Sequence, residues 1–355
     1  MIKYFKLSYL QLIIILFFPI IYFEWVQIFL FEFPNYYRDS YDRSFYDIAN
    51  NFFTPGETSQ FHERAFFPVL GYFLGASKSI DTFELYRFLT YLLWAFTLCL
   101  LINEKFEELD IYPNYLVLFF IFSLPITYFM FRQGHTKSDT TIILATTLIA
   151  FSQPSSIRRT IGIIILTLSH AYFAFMILVA VSIYEIGLYK DRLYLKKLIK
   201  NGITFVLSYF ILTFFLFLFG KGLKIPFIGP DEENTLIQTL VWREGLVGNE
   251  FYRLNYILNN FQWAIIALIF FLVFLKDKVL FLSSMIAFTF TLAVNLIFNW
   301  NEPRTFNICF FPILIMGISY IYDSGKFNYI QIKYFNYIFA LLIFLNILFG
   351  HKQPF

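Results

Sequence analysis

Charge is what this chain has least of. Only 14% of its 355 residues are Asp, Glu, Lys or Arg, against about a quarter in a soluble domain. That shortfall excludes an ordinary water-solvated globule. The net charge is +3, and no basic patch interleaves with aromatics, so a nucleic-acid partner is not expected. Cysteine stops at two, Cys99 and Cys309, both inside apolar runs. This excludes a disulfide framework and offers no zinc set. C-x-x-C, H-E-x-x-H, G-x-G-x-x-G and P-loop patterns are missing, so no motif anchors dithiol, zinc-protease or nucleotide chemistry. Strand-like alternation is missing as well.

What fills the space is apolar. The chain is 59% hydrophobic with 51 phenylalanines, and its mean hydropathy is +0.64. Runs of about 17–25 apolar residues recur, each long enough to cross roughly 30 Å of hydrocarbon. Helices satisfy their own backbone groups in lipid. The expected fold class is therefore all-α: a polytopic integral membrane protein with about ten transmembrane helices plus interfacial or half-depth helices. It reads as one integral domain over 1–355, with external loops near 32–84 and 220–260.

Lys3 and Lys6 precede the first run, which exceeds a signal-peptide core and lacks a small-residue cleavage site. The N-terminus is expected in the cytoplasm and the first span uncleaved, in a bacterial inner or plasma membrane. Spans follow at about 8–31, 85–103, 112–131, 140–153, 201–219, 261–275, 279–298, 305–322 and 334–350. The run 65–77, with Pro68, Gly71 and Gly75, is too short to cross and reads as a half-helix at the interface. Arg158 and Arg159, the loop YKDRLYLKKLIK, the turn Lys276–Lys278, Lys326 and Lys333 mark cytoplasmic links.

Residues 160–189 are nearly all apolar, yet both flanks look cytoplasmic. Two readings stand: half-depth helices broken at Ser169-His170, or one long tilted span that violates the charge rule at one end. With the break, loop 32–84, the turn FRQGHTKSD, Ser169-His170, loop 220–260 and the turn NWNEPR share the external side.

The ionisable chemistry concentrates in that external set. Asp39 and Asp42 are three residues apart, on one face if helical. A carboxylate there serves as a general base on a sugar hydroxyl or as a ligand for a divalent cation; the alternative is pairing with Arg38 and Arg43 to order the loop. Arginines recur at boundaries, at Arg38, Arg43, Arg64, Arg132, Arg243 and Arg304. Guanidinium grips phosphate in a two-pronged way, although one arginine at a span end is usually an anchor. His135 titrates near neutrality or caps a helix. His170 lies inside an apolar run, and an intramembrane ionisable group is a functional candidate; a neutral His bonded to a backbone carbonyl is its bland alternative. Glu302, two residues from Arg304, pairs with a loop arginine or contacts sugar hydroxyls.

Asp39 and Asp42 after span one, Arg64 to Pro68 as R-x-x-x-P, and Glu302-Pro303-Arg304 opening a late span resemble the GT-C class of polytopic glycosyltransferases. Arg132-Gln133-Gly134 and His170 resemble features of the related O-antigen and exopolysaccharide polymerases. The resemblance implies a GT-C-like fold and transfer or polymerisation of polyprenyl-phosphate-linked sugars at the external face. Partners would be that donor, a glycan or lipid-linked acceptor and membrane lipids. Asp39 and Asp42 would be catalytic. Arg38, Arg43, Arg64, Arg132, His135, His170, Glu302 and Arg304 would bind substrate. No cofactor is expected, since the first loop has no D-x-D pair; a divalent cation is the variant such a pair would require. The competing classes are a transporter or flippase of lipid-linked oligosaccharide and a non-catalytic membrane subunit. Reporter fusions near Asp42 and near Arg304 should report one and the same face, with fusions near Arg158 and Lys276 on the other. Asp42 and Arg304 on opposite faces would end the shared-site reading.

Overall fold

The computed structural model describes residues 9–22, 46–55, 66–106, 121, 139–190, 192–221, 277–298, 302–324, 333–334, 337–341 and 343–344. Regular structure among them is helical, with no strand. The helices are α1 (Tyr9–Ile21), α2 (Phe66–Phe73), α3 (Ile80–Phe106), α4 (Asp139–Ala150), α5 (Ile157–Ser169), α6 (Ala171–Tyr189), α7 (Arg192–Leu218), α8 (Lys278–Phe298) and α9 (Glu302–Asp323). Three stretches are long and apolar enough to cross a membrane: Ile80–Lys105, Ala171–Tyr189 and Tyr194–Leu218, of 26, 19 and 25 residues. The short run at 65–77 is the eight-residue α2 followed by the 3-10 turn Ala76–Lys78. The span expected at 261–275, and all but Ile121 of the one at 112–131, lie outside the described residues.

Local chemistry sets the boundaries. Ser79 caps α3 by accepting from the Thr82 N–H at 3.2 Å, and Ser156 caps α5 by accepting from the Arg159 N–H at 3.2 Å. Asp277 caps α8, taking the N–H groups of Val279 and Leu280 at 3.1 and 3.2 Å. Such oxygens satisfy donors that the first turn leaves orphaned. Asp277 also accepts from Lys190 Nζ at 2.8 Å, and that ammonium holds its carboxyl below the usual carboxylate range, with the cap N–H groups adding to the effect.

The basic stretch expected as a loop after 189 is mostly helix. Lys190, in the left-handed region at φ 51, ends α6, and α7 already runs from Arg192. Lys196, Lys197 and Lys200 are exposed while Tyr194 is buried. Charges directed outward on long stems do not require the helix to break.

The ambiguity at 160–189 resolves as two helices broken at His170. The carbonyl side of the break closes α5, with the His170 N–H donating to Leu166 O at 2.8 Å. The imidazole opens α6, with Nδ1 accepting from the Phe173 N–H at 3.5 Å. The helices fold back on each other, because Arg159 near the start of α5 meets Glu185 near the end of α6. Arg159 Nη2 donates to Glu185 Oε1 at 2.5 Å and Nη1 to Oε2 at 3.4 Å. A straight helix would hold residues 26 apart at about 39 Å. The half-depth expectation fits α5, at 13 residues; α6, at 19, is span-length.

Cross-helix bonds sort the helix ends into two groups. At the end that carries Arg159, Arg158 pairs with Glu104 of α3 at 3.1 Å. Lys105 of α3 pairs with Asp323 of α9, Lys190 with Asp277, and Tyr194 of α7 donates to Glu185 Oε2. At the end that carries His170, Thr90 of α3 donates to Thr140 of α4 at 3.2 Å, and Ser169 of α5 to Thr141 at 3.0 Å. Asp139, Ser169-His170, α2 and the exit of α7 collect there. α9 starts there as well, since its last residue Asp323 is at the arginine end and 22 residues span about 33 Å.

α4 and α5 approach closely. A Cβ on Gly162 would lie 2.9 Å from Ile149 Cγ1 and 3.0 Å from Ala145 O, so glycine lets these helices touch. The largest buried cluster gathers Trp94, Leu98, Ile143, Ile163, Met176, Tyr184, Leu280 and Phe311 from α3 to α9.

Arg159 and Glu185 have side chains 1% and 0% exposed. Every guanidinium nitrogen is engaged, with Nε on Ser152 Oγ at 3.2 Å and Nη2 also on Ser152 O at 3.0 Å. Removing one buried charge strands the other. Glu185→Ala should therefore destabilise the protein by about 3–5 kcal/mol, whereas Arg159→Met with Glu185→Leu should recover most of it. Thermal unfolding in detergent checks both, and an Ala variant as stable as wild type would refute the assignment.

Candidate functional site

The histidine end holds a buried polar layer. α5, of 13 residues, is about 20 Å long and shorter than a full crossing, and the described part of α4 runs beside it. α3 continues past Thr90 by about 15 Å, to Ile80. The ends of α4 and α5 thus form a floor beside a longer wall. Asp139 is 0% exposed, Thr140, Thr141 and Ser169 are buried, and His170 is 8% exposed. Thr90 ties the wall to the floor: its hydroxyl lies 2.7 Å from Arg87 O and 3.2 Å from the Thr140 hydroxyl, sharing its one proton between them.

One turn up the wall sits an ion pair. Arg87 Nη2 lies 2.9 Å from Glu84 Oε2, with side chains 5% and 18% exposed. The Arg87 guanidinium carbon stands 4.6 Å from the centroid of Phe88. Arginine tolerates this low-dielectric place because its charge is delocalised and its fork matches oxyanions. Asp139 in the first turn of α4 has its carboxylate at the positive end of the helix dipole.

His170 does structural work first. Its ring stacks on Phe173 at 3.9 Å with 8° between planes. Nδ1 accepts a backbone N–H, so the neutral ring carries its proton on Nε2. The bond described at this ring is an N-cap acceptor, taken from a backbone N–H.

An apolar cavity of about 390 Å³ adjoins the polar floor, within the span of about 300–1,000 Å³ usual for ligand pockets. Phe52 and Phe53, Val69 and Phe73 of α2, Leu168 of α5 and Phe215 of α7 line it. Leu168 on the cavity side is next in sequence to Ser169 on the polar side. α2 is fixed to the wall by Tyr86, which stacks on Phe67 at 4.7 Å and donates its hydroxyl to Phe67 O at 3.0 Å. One end of the bundle therefore offers carboxylates, a guanidinium and an imidazole next to a hydrocarbon-lined cavity. That combination suits an amphiphile with a polar head and a long apolar chain.

The residues expected from sequence divide as follows. Arg38, Asp39, Asp42, Arg43, Arg64, Arg132 and His135 lie outside the described residues. Glu302 and Arg304 are in the first turn of α9, at the histidine end. His170 lies in the floor. Sequence reasoning passed over Glu84, Arg87 and Glu185, and noted Asp139 only as the close of a turn. The signal was present: Glu185 is the lone charge in 160–189, and lone intramembrane charges are candidates by default. Among the described residues, no three His, Cys, Asp or Glu side chains converge as a metal set.

No family model, curated protein or solved structure proved similar to the chain.

The cap and any further role of His170 separate by substitution. His170→Asn keeps a side-chain acceptor and should hold thermal stability near wild type, whereas His170→Leu should lose about 1 kcal/mol. Equal losses in both variants would show that the ring's stacking, not its cap, matters.

Proposed function

We propose that this chain is a multi-pass membrane glycosyltransferase that acts on polyprenyl-phosphate- or polyprenyl-diphosphate-linked sugar. It works by single transfer or by polymerisation, in cell-surface polysaccharide synthesis. The observation that carries the reading is the pairing, at one end of the bundle, of a buried polar floor with a hydrocarbon-lined cavity. The N-terminus and the arginine end face the cytoplasm of a bacterial inner or plasma membrane. This agrees with the positive-inside rule, since Arg158, Lys190, Lys196, Lys197 and Lys278 are all at that end. The histidine end faces outward.

In this reading the isoprenoid chain occupies the cavity between α2, α5 and α7, and the phosphates rest on arginines at the external boundary. Arg38, Arg43, Arg64, Arg132 and Arg304 are the candidates from sequence, and Arg87 joins them from the wall. Their charge meets the negative charge that grows on the departing phosphate. Asp39 or Asp42 takes the proton of the acceptor hydroxyl as its oxygen bonds the anomeric carbon. The bond from that carbon to the phosphate oxygen breaks, and polyprenyl phosphate or diphosphate leaves with the electron pair. Asp139, His170, His135 and Glu302 orient the sugar and acceptor hydroxyls. The partners are the lipid-linked donor, a glycan or lipid-linked acceptor and the surrounding lipid; no cofactor is invoked.

Asp39→Asn, Asp42→Asn, Arg64→Ala and Arg304→Ala should each lower the surface glycan, with the catalytic Asp costing about 10²-fold or more in transfer rate. The readout is glycan composition and transfer rate from protein that is normally expressed and folded. Loss of a single sugar marks a transferase and single-unit chains mark a polymerase. Four silent substitutions would leave the reading without its site.

A further inference from the structure

The first turns of α7 carry charge that the proposed chemistry does not use. From Arg192 to Leu218 the helix holds no acidic residue, and its last basic residue is Lys200. Residues 201–218 are uncharged and measure about 27 Å of helix, close to the roughly 30 Å of a hydrocarbon core. Lys200 therefore stands where hydrocarbon gives way to headgroups. Lys196 and Lys200 are one turn apart on the same face. Both are exposed, as are Ile203, Leu207, Phe210 and Phe214 further along that face. α7 is the least covered of the three span-length helices: 22% of its apolar stretch is buried, against 56% in α3 and α6.

The described acids at this end are already matched. Glu104 is taken by Arg158, Asp323 by Lys105, Asp277 by Lys190 and Glu185 by Arg159. None of the ion pairs among the described residues uses Lys196 or Lys200. Lys200 Nζ donates to Ser155 O, in the α4–α5 turn, at 3.3 Å, which uses one of an ammonium's three donors. The face thus joins two exposed ammonium groups to an apolar stripe. Lys200 and Phe210 are about 15 Å apart along the axis, half the hydrocarbon thickness and so the depth of one leaflet. Charge argues against a second copy of the chain as the cover. Copies inserted in one orientation would pair about a two-fold axis along the membrane normal, which sets Lys196 against Lys196 at one depth. Like charges so placed oppose the contact.

We propose that this face of α7 is a binding site for an anionic phospholipid of the leaflet at the arginine end. The lipid phosphate sits between the Lys196 and Lys200 ammonium groups, and the acyl chains lie along Ile203, Leu207 and Phe210. Acidic headgroups favour clustered lysines at a membrane surface, whereas a zwitterionic headgroup has no net charge to match them. Because Lys200 also touches Ser155 O, the bound lipid braces α7 against the α4–α5 turn. The site is apart from the cavity and the polar floor, and it does not depend on the glycosyltransferase reading.

The probe is phosphatidylglycerol, compared with phosphatidylcholine of the same acyl chains. Each is titrated into full-length protein in an uncharged detergent, and bound lipid is counted by native mass spectrometry. The wild-type protein should hold phosphatidylglycerol about thirtyfold more tightly, the preference that two ammonium groups give near an acidic headgroup. Lys196→Gln with Lys200→Gln should bring the two lipids level, and Lys196→Gln alone should remove about fivefold. Lys196→Arg with Lys200→Arg should keep the preference. Lys78→Gln, at an exposed lysine of the histidine end, should change nothing. An equal loss in Lys78→Gln would mean diffuse attraction by net charge and overturn the site, as would a preference that survives the double glutamine variant. Competition by millimolar glycerol phosphate alone would replace the lipid assignment with an anion site that has no acyl contacts. A disulfide crosslink between copies through Leu207→Cys in lipid-free protein would give the face to a second copy instead.

Discussion

The arrangement of this bundle depends on one buried ion pair. Arg159 and Glu185 sit on two helices that run in opposite directions from the break at His170, and neither charge tolerates that depth without the other. Ser152 and Tyr194 complete the set, which brings in the α4–α5 turn and the start of α7. Four chain segments are thus registered at one point. Desolvation makes such a pair a poor source of net stability but a strong arbiter of geometry, because alternatives that separate the charges are far worse. That pairing decides where the tip of the hairpin comes to rest.

The two ends of the bundle consequently differ in kind. At the arginine end, ion pairs join α3 to α5, α3 to α9 and α6 to α8. At the histidine end, the described cross-helix bonds include the hydroxyl pairs Thr90 with Thr140 and Ser169 with Thr141 and the Tyr86 hydroxyl on Phe67 O.

Much of this was legible in the residues. The helical class and the short helix after the first loop follow from apolar run length, and the break at Ser169-His170 was one of the two readings that the conflict between charge and span at 160–189 left standing. The grouping of helix ends followed from the positions of Lys and Arg, and the cross-helix bonds sort the described ends in the same way. The start of α7 was misplaced because a basic stretch reads as a link, whereas exposed lysines sit comfortably on a helix that Tyr194 anchors. Glu185 and Arg87 escaped because their meaning lies in a partner and an environment: a buried pair 26 residues apart leaves no periodic trace. Spacing did not flag Asp139 either, since a carboxylate that closes a polar turn resembles an exposed cap until neighbouring helices cover it.

The brevity of α5 bears on how the chain gets into its bilayer. Thirteen residues are about 20 Å of helix, too short to cross hydrocarbon alone, and they carry a buried arginine near their start. Its neutralising carboxylate emerges from the ribosome 26 residues later. α5 therefore cannot reach its buried place by itself: its charge is balanced only when α6 lies against it, and the hairpin is the smallest unit in which Arg159 is neutralised.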